Sequence, residues 1–233
     1  MLARIRKHEA FTLVELLTVI IIIGLLAAIL LPTVTSALKT GYTAQSKTRV
    51  ESLSRGAELY RSAYDLYPGQ STTLMGFLTA GTYSGSQVLA ACMYNYDVAN
   101  ATPVPRGGFD TYKDDFLQSL QVSAGTNPRP RSLADGFPSG KAWAILYFPS
   151  VPGVDPTDIQ NHYKYEHNQV HTNFKPVNDS ADAATQRTWF YNTSTGPIVD
   201  TRFGNRPYRP SEYLIIAPGA DRRYFTSDDV KNF

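Results

Sequence analysis

Three aspartates near the C-terminus are the first residues that could do chemistry: Asp221, then Asp228 and Asp229, with Gly219, Thr226 and Ser227 between or beside them. Hard oxygen ligands on a short loop suit calcium, which takes six to eight oxygens at about 2.3–2.6 Å, better than magnesium, which demands a stricter octahedron. A solvated acidic turn is the plainer reading of spacing alone. A second cluster, Tyr165-Glu166-His167-Asn168-Gln169-Val170-His171, sets two histidines at i and i+4, as zinc helices do, with His162 nearby. Asn168 stands where the general base of such a motif would be, so a polar, tyrosine-rich surface loop is expected instead. Cys92 is the single cysteine, which excludes an intramolecular disulfide, and its apolar context points to packing rather than nucleophilic catalysis. No glycine-rich phosphate loop or nucleophile elbow is present, and no enzyme is expected. Arg202, Arg206, Arg209, Arg222 and Arg223 alternate with Tyr208 and Tyr224, a composition that can contact phosphates, but the neighbouring aspartates break the basic stripe and nucleic acid is not the expected partner.

Glu15 poses the sharpest charge problem. It interrupts an apolar run from Phe11 to Leu31 that follows a basic leader carrying Arg4, Arg6 and Lys7. A helix of about 20 residues spans roughly the 30 Å hydrocarbon core of a bilayer. The basic flank keeps Met1 cytoplasmic and sends the chain beyond Pro32 outward. A carboxylate inside that span costs on the order of 2.5–3.5 kcal/mol, yet no Lys, Arg or His lies between Phe11 and Leu38. Cleavage before Phe11 would create an α-amino group four residues from Glu15, able to pair with it or with a neighbouring chain's glutamate. A conventional signal-peptidase cut beyond Ala28 and a plain single-span anchor are the alternatives.

The segment EAFTLVELLTVIIIIGLLAAILLP resembles the prepilin signal shared by type IV pilins, type II secretion pseudopilins and competence pilins. The resemblance implies cleavage between Ala10 and Phe11 by a prepilin peptidase, methylation of the new Phe11 amine, subunit docking through Glu15, and helix bending or melting at Gly24 and Pro32. Ala10 stands where the family usually has glycine. The tail GADRRYFTSDDVKNF is similar to the calcium loop of the major type II secretion pseudopilin. That likeness implies Asp221, Asp228 and Asp229 as carboxylate ligands, with main-chain oxygens near Ile216 and Thr226 completing the shell. Arg222 and Arg223 occupy positions where glycine and a small or polar residue are common.

Length and composition agree with one exported domain on an anchor: 233 residues, 42% hydrophobic, 18% charged, net charge +2. Beyond Pro32 the chain stays helix-compatible to about Tyr64. Val50, Leu53, Ala57, Tyr60 and Tyr64 share one face, and Lys47, Thr48, Glu51, Arg55 and Glu58 lie on or beside the opposite one. Pro68-Gly69 is expected to stop this spine. Two short helical pieces, 73–79 and 87–94, should follow, with Phe77, Leu78, Val88, Leu89 and Met93 in the core, and then loop over 99–131. Strands are expected at Ala142–Phe148, Arg187–Asn192, Ile198–Arg202 and Glu212–Ala217.

The expected fold is therefore α+β and pilin-like: a long N-terminal helical spine, its first half transmembrane, packed against a small C-terminal antiparallel sheet with long loops. The divisions are a leader at 1–10, the transmembrane half of the spine at 11–32, its periplasmic half at 33–67 and a globular domain at 68–233. The resemblance implies a non-enzymatic pseudopilus subunit of the bacterial inner membrane, with its N-terminus cytoplasmic and its globular domain periplasmic. Its implied partners are further copies of itself in a helical homopolymer, other pseudopilins, the peptidase, and an inner-membrane assembly platform with its ATPase. A type IV pilin for adhesion, motility or DNA uptake, and a membrane-anchored periplasmic binding module, are the alternative readings.

Overall fold

A computed structural model describes residues 12–70, 83–94, 117–118, 131–138, 142–155, 157–169, 174 and 182–233. The cleavage pair Ala10 and Phe11, the helical piece expected at 73–79, and His171 lie outside the described residues. Two units divide the chain, one ending at Gly41 and the other running from Tyr42 to Phe233.

Helix α1 runs from Leu13 to Tyr64 and contains Pro32. In the first unit its leucines, isoleucines and valines are exposed along the whole apolar stretch. From Leu13 to Pro32 the helix rises about 30 Å, enough to cross a bilayer. In the second unit α1 becomes amphipathic: Val50, Leu53 and Ala57 are buried, while Lys47, Thr48, Glu51, Arg55 and Glu58 are exposed. The helix stops before Pro68, because Asp65 adopts a left-handed φ of 59° and its amide bonds the Arg61 carbonyl at 2.7 Å.

Helix α2 (Gly85–Tyr94) follows, then strands β1 (Leu117–Gln118), β2 (Ser132–Leu133) and β3 (Leu146–Pro149). Helices α3 (Ile159–His162), α4 (Glu166–Gln169) and α5 (Ala183–Phe190) lead to β4 (Val199–Asp200), a 3-10 turn at Thr201–Phe203, β5 (Arg206–Pro207), β6 (Tyr213–Ala217) and β7 (Val230–Lys231). The central sheet is antiparallel in the order β3-β6-β7, flanked by the pairs β1-β2 and β4-β5.

Both faces of β3 and β6 are buried, and the two-residue period of a strand sorts their side chains between two cores. Tyr147, Tyr213, Ile215 and Ala217 join Val50, Leu53 and Ala57 of α1 and Leu89 and Met93 of α2. Leu146, Phe148, Leu214 and Ile216 join Ile159, Tyr163, Tyr165, Phe190, Tyr224 and Phe225 on the other side. Tyrosine hydroxyls fasten the first layer: Tyr213 donates to the Ser54 carbonyl at 3.0 Å, and Tyr147 to that of Pro68 at 2.7 Å.

The α+β architecture, with its long apolar N-terminal helix and small antiparallel sheet, agrees with the sequence expectation. Three local expectations do not. Arg187–Asn192 is not a strand: Asp182 accepts the Thr185 amide at 2.8 Å and caps α5, so helix initiation outweighs the β-preference of the aromatics. The segment around His162 and His167 is not a surface loop. Tyr163 and Tyr165 are fully buried, their hydroxyls bonding the Tyr208 and Arg209 carbonyls and the Gln186 side chain, so aromatic bodies could enter the second core without stranding their polar tips. Finally, β1 lies within the stretch expected to be loop, where pairing with β2 supplies order that no local period announced.

Candidate functional site

At the start of α1, the Thr12 amide and hydroxyl donate to Glu15 Oε2 at 2.9 and 2.8 Å, and the Glu15 amide approaches Thr12 Oγ1 at 3.3 Å. This reciprocal arrangement is a capping box, spelled Thr-Leu-Val-Glu, and it satisfies donors that the first turn would otherwise leave without partners. Its signal is present in the sequence as a Thr followed three residues later by a Glu, ahead of an apolar run. Glu15 thus has local hydrogen-bond donors on its own helix, although that helix carries no nearby cation. Gly24 and Pro32 both lie within continuous α1, with open space around Gly24.

In the C-terminal turn, each of the three aspartates serves the backbone of its own loop. Asp221 Oδ1 accepts the Arg223 amide at 2.9 Å, and Asp228 Oδ2 accepts the Asp221 amide at 3.2 Å. Asp229 Oδ2 accepts the Phe225 and Thr226 amides at 2.5 and 3.1 Å. Thr226 Oγ1 lies 2.6 Å from Asp228 Oδ1 and 3.1 Å from Asp229 Oδ1. Burial pushes the Asp229 carboxyl up to about 6, against the pull of Lys231 and the loop amides. Ile216 sits in the middle strand. The Ile215 amide and carbonyl both engage Asn232, on the β7 side, so the alternation of a strand turns the Ile216 carbonyl toward β3. Among the described residues no three His, Cys, Asp or Glu side chains are arranged to hold one metal ion.

Arg222 does not face this turn. It adopts a left-handed φ of 62° and carries its guanidinium to Asp135, with Nη1 donating to Oδ2 at 2.6 Å, while stacking 4.1 Å from the Phe137 ring centroid. Asp135 has no exposed side-chain surface, and it also accepts the Phe137 and Trp143 amides at 3.2 Å each. Burial raises its pKa, opposed first by Arg222. From α1, buried Arg49 donates Nη1 to the Ala134 and Asp135 carbonyls at 2.9 and 2.7 Å, and Ser46 Oγ accepts the Gly136 amide at 2.9 Å. A Cβ on Gly136 would stand 2.6 Å from the Tyr42 carbonyl, so only glycine lets 134–137 approach the spine this closely. This clasp of Arg49, Asp135 and Arg222 joins the spine helix to the C-terminal turn. Sequence spacing did not reveal it, because its partners are more than eighty positions apart.

The remaining candidate groups are taken up locally. Arg202 forms a two-pronged pair with Asp200 at 2.8 and 2.7 Å, and Arg209 pairs with Glu212. Buried His167 and His162 both have lowered pKa values, His167 to about 4, because desolvation disfavours the imidazolium. Cys92 is half-buried on α2.

The prokaryotic N-terminal methylation motif matches residues 5–31, the segment that carries Glu15 and the apolar half of α1. The type IV major pilin protein PilA of Myxococcus xanthus (strain DK1622) is 30% identical over 154 residues, covering 65% of this chain and 67% of that pilin. The chain belongs to the type IV pilin family. Family membership gives the chain a structural, polymerising and non-catalytic role, in keeping with a membrane-length apolar helix on a small α+β domain. No solved structure matches.

Proposed function

We propose that this protein is the polymerising subunit of a type IV pilus. The observation that carries the reading is its similarity to a major pilin over 154 residues, well beyond the 27-residue N-terminal motif that pilins and pseudopilins share. In this reading the leader is cytoplasmic, a prepilin peptidase cuts between Ala10 and Phe11, and the domain from Tyr42 onward lies outside the inner membrane. The freed, methylated Phe11 amine supplies the cation that Glu15 of a neighbouring copy needs inside the bilayer, while Thr12 holds that carboxylate at the helix start. An inner-membrane platform and its ATPase draw subunits into the filament, and Gly24 and Pro32 let the helix adjust there. Proline has no amide with which to close the helix turn.

A second reading, a periplasmic pseudopilus driving protein export alongside other pseudopilins, is favoured by the tail Thr226-Ser227-Asp228-Asp229-Val230. Shearing of intact cells separates the two. A pilus subunit is recovered in surface filaments as a chain beginning at methylated Phe11, and Glu15→Ala abolishes those filaments while the protein remains in the membrane. Absence of surface filaments in cells producing the protein, with loss of secreted proteins on deletion, would overturn the pilus in favour of the pseudopilus. Retention of Met1 would overturn both.

A further inference from the structure

Lys231, on edge strand β7, turns its ammonium back into the acidic turn. Its Nζ donates to the Thr226 carbonyl at 3.1 Å and stands 3.8 Å from Asp229 Oδ2. The Asp229 side chain has no exposed surface, and that of Lys231 is only 25% exposed. A carboxylate removed from water requires compensating charge as well as hydrogen-bond donors. Here the donors are the Phe225 and Thr226 amides and the charge is Lys231. The spacing makes the pairing natural, since residues two apart on an extended segment project to the same side.

The same geometry leaves little for a divalent ion. Calcium needs six to eight oxygens, but the carboxylates of Asp221 and Asp228 accept backbone amides of the loop and the Thr226 hydroxyl. The Ile216 carbonyl is turned toward β3. The Thr226 carbonyl and Asp229 Oδ2, two further oxygens of the expected shell, are those that Lys231 addresses. A metal beside them would sit against a fixed ammonium, which repels it. A single positive charge against buried Asp229 balances one to one.

We propose that Lys231 is the resident counter-ion of the C-terminal turn, in the place that a calcium ion would take, and that the turn closes without a divalent cation. The inference rests on the turn alone and holds for a pilus or a pseudopilus subunit alike.

Full-length protein in detergent tests it by thermal melting and amide exchange, each in 1 mM calcium and in excess EGTA. The wild-type chain should melt at the same temperature in both, with the Phe225 and Thr226 amides equally protected. Lys231→Met keeps the aliphatic stem and removes the charge; exchange at those two amides should quicken on the order of tenfold, while Lys231→Arg stays close to wild type. A wild-type melting temperature that rises with calcium or falls with EGTA overturns the proposal. So does a Lys231→Met chain whose Phe225 and Thr226 amides remain as protected as before. Should Lys231→Met fail to fold, the wild-type comparison and Lys231→Arg still decide: loss of protection in the arginine variant also counts against an exchangeable counter-ion role.

Discussion

Removal of the Arg222 guanidinium should expose how strongly the clasp depends on charge. Arg222→Ala leaves the fully buried Asp135 carboxylate with two amide donors and without its ion-pair partner. Breaking a buried pair from one side typically costs 3–5 kcal/mol. Arg222 is 21% exposed, so the low end, about 3 kcal/mol at pH 7, is expected. Arg222→Gly should be milder by about 0.5–1 kcal/mol, because glycine accepts the left-handed φ of 62° without the steric cost that arginine bears there. The loss should also depend on pH. Burial already raises the Asp135 pKa, and loss of Arg222 raises it further. A carboxyl whose folded pKa lies above its unfolded value of about 3.9 contributes stability below that value and loses it as pH rises through the folded one. The gap between variant and wild type should therefore narrow as pH falls from 7 toward 4. Urea denaturation of the full chain in detergent, at several pH values, measures both. A loss under about 1 kcal/mol that stays the same across that range would mean the pair acts as a screened surface contact, and the clasp argument would fail.

Three further outcomes are expected. His167 titrates in the folded chain at about 4, below its unfolded value of about 6.5, so its contribution is intact above 6.5 and lost as pH falls toward 4, by up to roughly 3 kcal/mol; His167→Gln should flatten the stability profile in that window, read by denaturation at each pH. Gly136→Ala should destabilise by about 1–3 kcal/mol through overpacking against the Tyr42 carbonyl and Ser46 amide, with an unchanged melting temperature as the contrary result. Asp182→Ala should cost about 1 kcal/mol and speed exchange at the Thr185 amide, whereas a strand at 187–192 would leave both untouched.

The sequence by itself determined the features that depend on neighbours along the chain. The 3.6-residue period placed Val50, Leu53 and Ala57 on the buried face of α1, and runs of apolar residues marked β3 and β6. The basic leader, the long apolar stretch and the Glu15 within it together carried the family, since a charge inside a membrane-length helix is too costly to be incidental.

Tertiary structure decided what depends on residues distant in sequence. It drew the tyrosines and histidines of 162–167 into a second core, because the far face of the sheet had to be covered and the tyrosine hydroxyls found carbonyls there. It turned Arg222 toward Asp135, 87 positions away, where the guanidinium neutralises a buried acid. It also took the Asp229 side chain out of water, so that its local pairing with Lys231 became a buried one. An ion pair gains its strength from desolvation, and desolvation is set by the packed fold rather than by any local pattern of charges.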